Sequence, residues 1–139
     1  MDVLSAIKNR KSTRAFVDKQ VSPQSIDDVL DTARWAPSGA NTQPWQVAVT
    51  TGATKTNLCL ALAEAFKSSN PSNADYEYYA SPVEEPYRSR QRSCGAALYG
   101  ALGISRQDKE QRDAQWLKNY FGFNAPVILF IFIDENLEK

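Results

Sequence analysis

Nine consecutive apolar residues, Ala125 to Ile133, constrain this chain more than any other stretch. Pro126 to Ile133 reads as a strand buried on both faces, because no polar residue interrupts it. It is too short to cross a bilayer, which takes about 20 residues. Such a strand needs neighbours in a sheet and helices on both sides. Just one other segment reads as a strand, Trp45 to Thr51, with Val47 and Val49 on one side. Two strands rarely make a stable sheet. The expectation is a central strand over Val127 to Ile133, with Val47 and Val49 in the same sheet. Either a partner chain or sequence beyond Lys139 then completes the fold.

The rest of the chain is helical in pattern. Asp2 can cap a first helix running to about Arg10, with Val3, Leu4 and Ile7 on one face. Ser22-Pro23 pairs a cap residue with proline at the first helical position. Ile26, Val29, Leu30 and Ala33 then form an apolar stripe that ends at Pro37-Ser38-Gly39. Thr54 opens a third helix to about Lys67, its stripe being Leu58, Leu62, Ala65 and Phe66. Cys94 to Gly103 predicts a helix of small residues suited to close packing. Ser105-Arg106-Gln107-Asp108 resembles a capping box and opens a last helix to about Tyr120. Arg106/Glu110 and Asp108/Arg112 are spaced as i,i+4 pairs and read as a solvated face. Between helices, Ser68 to Arg92 holds a single aliphatic residue larger than alanine, Val83. Its four tyrosines, Tyr76, Tyr78, Tyr79 and Tyr87, favour a cover over a site, although a segment this long can also be disordered.

Composition removes whole classes of chemistry. The 139 residues contain no histidine. That excludes a Ser-His-Asp triad, a Cys-His dyad and a zincin HExxH site within this chain. Proton transfer falls to Asp, Glu, Tyr, Lys or Cys, which leaves room for a cofactor to carry the reaction. Cys59 and Cys94 lie far apart without a CxxC motif, so neither a disulfide framework nor a metal site is expected. Both sit in apolar helical patterns and read as buried filler. The first residues lack the apolar core of a signal peptide. A soluble, reducing compartment, the cytoplasm, is the expected location, with no membrane partner. Sixteen cations balance sixteen anions, which argues against a nucleic-acid surface.

Two segments carry recognisable chemistry. Arg10-Lys11-Ser12-Thr13-Arg14 offers three cations and two hydroxyls within five residues. Such a set can grip a phosphate, and it can equally be a solvated basic turn. Trp35-Ala36-Pro37-Ser38-Gly39-Ala40-Asn41-Thr42-Gln43-Pro44-Trp45 is stiffened by two prolines. Its Ser38, Asn41 and Gln43 can read the edge of a planar heterocycle, or the segment can be an ordinary helix-to-strand connection. Neither segment is a P-loop or a GxGxxG fingerprint.

Taken in order, these segments resemble the N-terminal half of the nitroreductase family, the FMN-dependent NAD(P)H oxidoreductases. Tyr87-Arg88, Leu98 to Ile104, Arg106, Asp108 and Phe123-Asn124-Ala125-Pro126 extend the resemblance over nearly the whole chain. It implies one α+β domain over 1–139, a mixed β-sheet flanked by helices, assembled as an intertwined homodimer. Family members commonly run longer, so the C-terminal portion of the domain is expected to be missing. By similarity, Arg10, Lys11, Ser12 and Arg14 hold the phosphate, ribityl chain and pyrimidine edge of FMN. Pro37, Ser38, Gly39 and Asn41 contact the isoalloxazine from the other subunit. No side chain is expected to be catalytic, because hydride passes from NAD(P)H to flavin N5 and on to a nitroaromatic, quinone or similar acceptor. Tyr76, Tyr79, Tyr87 and Arg88 are the candidates for the acceptor side. The competing reading is a flavin-binding or dimerising module without turnover.

Overall fold

A computed structural model describes residues 2–68 and 79–137. The elements are α1 (Val3–Asn9), α2 (Pro23–Ala33), β1 (Gln46–Thr51), α3 (Gly52–Lys67), α4 (Tyr87–Ala101), α5 (Lys109–Leu117) and β2 (Val127–Phe132). Short 3-10 turns lie at Gly39–Asn41, Gly122–Asn124 and Glu135–Leu137. The chain divides into two compact units. One holds Met1–Leu60 and Phe121–Lys139, and the other holds Ala61–Tyr120.

The first unit is organised by β1 and β2, which pair antiparallel from Gln46 opposite Phe132 to Thr51 opposite Val127. Side chains alternate across such a pair, so Val47 and Val49 share a face with Ile131 and Leu129. The expected membership of one sheet holds. The expected burial on both faces does not hold in this chain. Ile128 and Phe130 are half-buried, whereas Ile131 is 71% exposed. The reason is geometric: each strand has a single neighbour among the described residues, so this strand is an edge rather than a centre. Thr50 is buried beside it and donates its hydroxyl to the Ile128 carbonyl at 3.0 Å, which satisfies the polar group.

The helix starts follow capping chemistry. The Asp2 carboxylate accepts from the Ser5 amide at 2.9 Å and the Ser5 hydroxyl at 2.7 Å. Those bonds, the hydroxyl first, hold its pKa below the ordinary aspartate value. Ser22 Oγ accepts from the Ser25 amide at 3.1 Å, with Pro23 at the first helical position. In α3 the covered face runs through Lys55, Leu58, Cys59, Leu62 and Ala63, with Cys59 3% and Ala63 1% exposed. That is the expected stripe turned toward Cys59 and Ala63, leaving Ala65 and Phe66 at its open edge. Cys94, expected to be buried, is exposed, and neither cysteine is in a disulfide.

The second unit corrects three expectations. Helix α4 begins at Tyr87, so Tyr87 to Arg92 is helix rather than part of a long connection. Residues 69–78 of that connection, Tyr76 among them, lie outside the described residues. No apolar stripe announces the first turns of α4. Glu85 holds them instead, accepting from the Ser89 amide at 3.2 Å and Arg88 Nε at 2.9 Å. The last helix starts at Lys109, capped by Asp108, whose carboxylate accepts from the Gln111 amide at 3.0 Å. Ser105 accepts from the Asp108 amide at 3.2 Å and so closes the turn before the helix. Arg106 is therefore outside α5, and the expected solvated face holds in part: Arg106 and Glu110 are exposed, Asp108 and Arg112 half-buried, and among the described residues Lys109 pairs with Asp113 at 3.4 Å. Phe66 packs on Tyr120, with ring centroids 4.5 Å apart.

Two outcomes follow. Gly122 has φ +53°, and a Cβ there would lie 2.5 Å from Ile128 Cδ1 and 3.0 Å from Ile128 Cγ1. Gly122→Ala combines that crowding with the left-handed penalty and should cost about 1–3 kcal/mol. Gly39→Ala, with open space around its Cβ, should change stability by less than about 0.5 kcal/mol. Melting curves of the intact protein check both. Glu85 has its pKa held below the ordinary glutamate value, first by Ser89 and then by Arg88. Its contribution to the α4 start is present above the ordinary glutamate range and is lost as pH falls through the lowered pKa. Amide exchange at Arg88 to Arg90 should accelerate over that fall relative to the helix centre. Glu85→Gln should remove this pH dependence.

Candidate functional site

The basic segment follows the end of α1 at Asn9 and takes no regular structure. Arg10, Lys11, Ser12, Thr13 and Arg14 are all exposed. Ser12 is the hub. Arg10 Nη1 donates to its hydroxyl at 3.3 Å, and Arg14 Nη1 donates to its carbonyl at 3.4 Å. Both guanidiniums thus turn toward one residue while keeping most of their donors unused. No ion pair among the described residues involves Arg10, Lys11 or Arg14. Arg14 also lies over the Phe123 ring, 6.0 Å from its centroid. Sequence reasoning had no means of finding Phe123 as the support of Arg14, since the two are over a hundred residues apart in the chain.

The second segment is strained in a specific way. Ala40, Asn41 and Gln43 have φ of 49°, 55° and 48°. Asparagine tolerates this region, but Ala40 and Gln43 do not favour it. Local bonds hold the shape: the Gln43 amide donates to Ser38 Oγ at 2.9 Å, and Gln43 Nε2 donates to Asn41 Oδ1 at 3.4 Å. The Asn41 and Thr42 amides donate to the carbonyls of Ser38 and Gly39. Ser38 is half-buried, whereas Pro37, Gly39 and Asn41 are exposed. Gln43 therefore belongs with the site as its internal brace, and its place beside Pro44 at the end of the motif is the signal for that role. A second strained turn, Phe123 and Asn124 at φ 53° and 61°, leads into β2. Strain of this kind persists where the surroundings over-determine the backbone, and it concentrates at ligand-binding positions.

The structure brings Arg10, Ser12 and Arg14 together, and separately Ser38, Asn41 and Gln43. Among the described residues no hydrogen bond or ion pair joins the two groups. In the second unit, Tyr79 and Tyr87 are 63% and 64% exposed, and Arg88 is engaged by Glu85. Arg90 lies over the Tyr87 ring at 5.8 Å from its centroid.

The profile of the Nitroreductase family matches residues 7–139 of this chain. A nitrobenzene nitroreductase of Ectopseudomonas oleovorans is 35% identical over 133 residues, which are 95% of this chain and 59% of that protein. A 4-nitrobenzoate reductase of Nocardioides sp. strain LMS-CY is 36% identical, over 94% of this chain and 54% of its own length. Among solved structures, the FMN- and NADPH-dependent nitroreductase NfnB of Sphigopyxis sp. strain HMH superposes with a TM-score of 0.92 at 36% identity. That match covers 99% of this chain and 62% of the other. The chain thus spans somewhat over half the length of the curated relatives it matches. With the basic segment, the braced Pro37–Pro44 turn and the strand pair all inside the matched region, the chain belongs to the Nitroreductase family.

Proposed function

We infer that this chain is part of an FMN-dependent oxidoreductase that passes hydride from NAD(P)H to a nitroaromatic, quinone or similar acceptor. The observation that carries the reading is the Ser12 hub, which gathers two guanidiniums at the end of α1. The donor set fits the group. Arg10, Lys11, Ser12 and Arg14 offer cations and a hydroxyl to a phosphate and to the carbonyl edge of a flavin, with no carboxylate among the described residues ion-paired to them. Pro37, Ser38, Gly39 and Asn41 offer a rigid, polar surface to a planar ring. FMN, when bound there, supplies the hydride acceptance and delivery that no side chain of this chain performs. Arg14, held over Phe123, would offer a positive charge to the pyrimidine edge of a bound flavin, which gains negative charge on reduction.

The site is assigned to a homodimer, with the Pro37–Asn41 segment contributed by the second copy. The reading is supported by the apolar face of α1, where Val3, Leu4 and Ile7 are all largely exposed in the single chain. Residues 1–139 are assigned to one family domain, since the family match runs across both units. Tyr79, Tyr87 and Arg88 are assigned to the acceptor side, since both tyrosines are largely exposed and can bring an aromatic ring to a planar substrate. No helix among the described residues is long and apolar enough to cross a membrane. A cytoplasmic location accords with two unpaired cysteines.

The intact protein should purify yellow, and the colour should bleach with NADPH under anaerobic conditions. It should return when a nitroaromatic is added. A yellow protein that NADPH does not bleach is the flavin-binding module without turnover. Arg14→Ala removes one or more charge-assisted hydrogen bonds, each worth about 1.5–3 kcal/mol. FMN affinity should fall roughly ten- to a hundredfold. Stability without flavin should fall by about 0.5–1 kcal/mol, the size of an exposed cation–π contact. Lys8→Ala, on α1, should leave FMN titration unchanged. Equal FMN affinity in the two variants would overturn the assignment of residues 10–14.

A further inference from the structure

The second unit contains a cavity of about 640 Å³ that the flavin reading does not use. Helix α4, the turn after it and α5 line it. Arg92, Arg106 and Arg112 converge there, with Tyr99 on the wall and Gly95 and Gly100 on the α4 side. Among the described residues no carboxylate lines it. Helix α4 itself carries three arginines and no acidic residue. Arg88 is paired with Glu85 and Arg90 lies over Tyr87, so of the three it is Arg92 that faces the cavity. The Glu85 carboxylate is close enough to feel Arg92, but its oxygens are already bonded to Arg88 and Ser89.

One of the three arginines is anchored. Arg112 is half-buried, lies over the Tyr99 ring at 5.7 Å and donates to the Arg106 carbonyl at 3.0 Å. That bond fixes the start of the 105–108 turn and holds Arg106 at the rim. Arg92 and Arg106 have no ion pair or side-chain hydrogen bond among the described residues. Three like charges around one cavity repel each other, and the arrangement is favourable when an anion sits between them. A Cβ built on Gly95 or Gly100 meets no atom within 4 Å, so the helix backbone stands open to a ligand. The volume is that of a small-molecule site.

We propose that this cavity is a second binding site, taking a small molecule through a phosphate or carboxylate group. Arg92 and Arg106 grip the oxyanion, while Arg112 and Tyr99 form the wall against which the rest of the molecule packs. The site does not depend on the flavin reading, because it shares no residue with Arg10–Arg14 or Pro37–Asn41.

The experiment uses the intact protein and two probes, inorganic phosphate and benzoate, followed by chemical-shift titration of α4 and α5 amides. Saturable shifts at Tyr99, Gly100 and Arg106 are expected with at least one probe, and the probe that produces them tells a phosphate ligand from a carboxylate one. Arg92→Gln with Arg106→Gln should weaken that binding tenfold or more. Both side chains are exposed, so the fold is retained. Gly100→Leu keeps every charge but fills the open space and should abolish the shifts. FMN titration should be unchanged within about twofold in all variants, which separates this site from the flavin site. The proposal is overturned by any of three results: no saturable shift with either probe, binding that survives Gly100→Leu, or FMN affinity that falls in parallel with probe binding.

Discussion

Antiparallel pairing of β1 with β2 is the contact on which the first unit depends. It joins residues about eighty positions apart in the chain, and Gln46 opposite Phe132 sets the register for all six pairs. A one-residue slip would move Thr50 off the Ile128 carbonyl and exchange the two faces of the sheet. Both approaches to the ladder are pinned. Lys55, in the first turn after β1, donates to the Ala125 carbonyl at 3.1 Å, just before β2. On the other side of the site, the Phe123 turn that delivers the chain to Ala125 also supports Arg14. Arg14 thus rests on the same turn that starts the second strand.

This pairing also explains what the chain leaves open. A two-stranded ladder covers one edge of each strand and little of either face. Leu129, Ile131 and Phe132 stay substantially exposed, as do Val3, Leu4 and Ile7 on α1 and Trp35 after α2. Each is an apolar group whose sequence pattern marks it for burial. Among the described residues that burial is not met.

Much of this was legible in residue patterns. The Asp2 and Ser22 caps, the α2 stripe and the apolar run of β2 all produced the elements they predict, because each signal is local and the physics that reads it is local. The start of α4 was hidden for the opposite reason. Tyr87 to Arg92 alternates arginine with polar residues, and its helix depends on bonds from Glu85, which lies outside the element. The start of α5 slipped from Ser105 to Asp108 because both residues can cap, and here Ser105 closes a turn while Asp108 caps the helix. In the candidate site, the residue types of the two motifs were visible. The positive φ values at Ala40 and Gln43 were not, since neither residue favours them and only the finished turn imposes them.

Charge shows how a sum can mislead. The chain is formally neutral, and that balance speaks against a basic surface spread over the whole molecule. The charges are nevertheless sorted by segment. Arg10 to Arg14 holds three cations without an anion, α2 carries Asp27, Asp28 and Asp31, and α4 carries three arginines without an acid. A Debye length of about 8 Å at physiological salt means that a ligand samples one such segment and not the total. A chain without histidine has few groups that switch near neutrality, and it is suited to holding fixed charge where a cofactor or substrate changes its own.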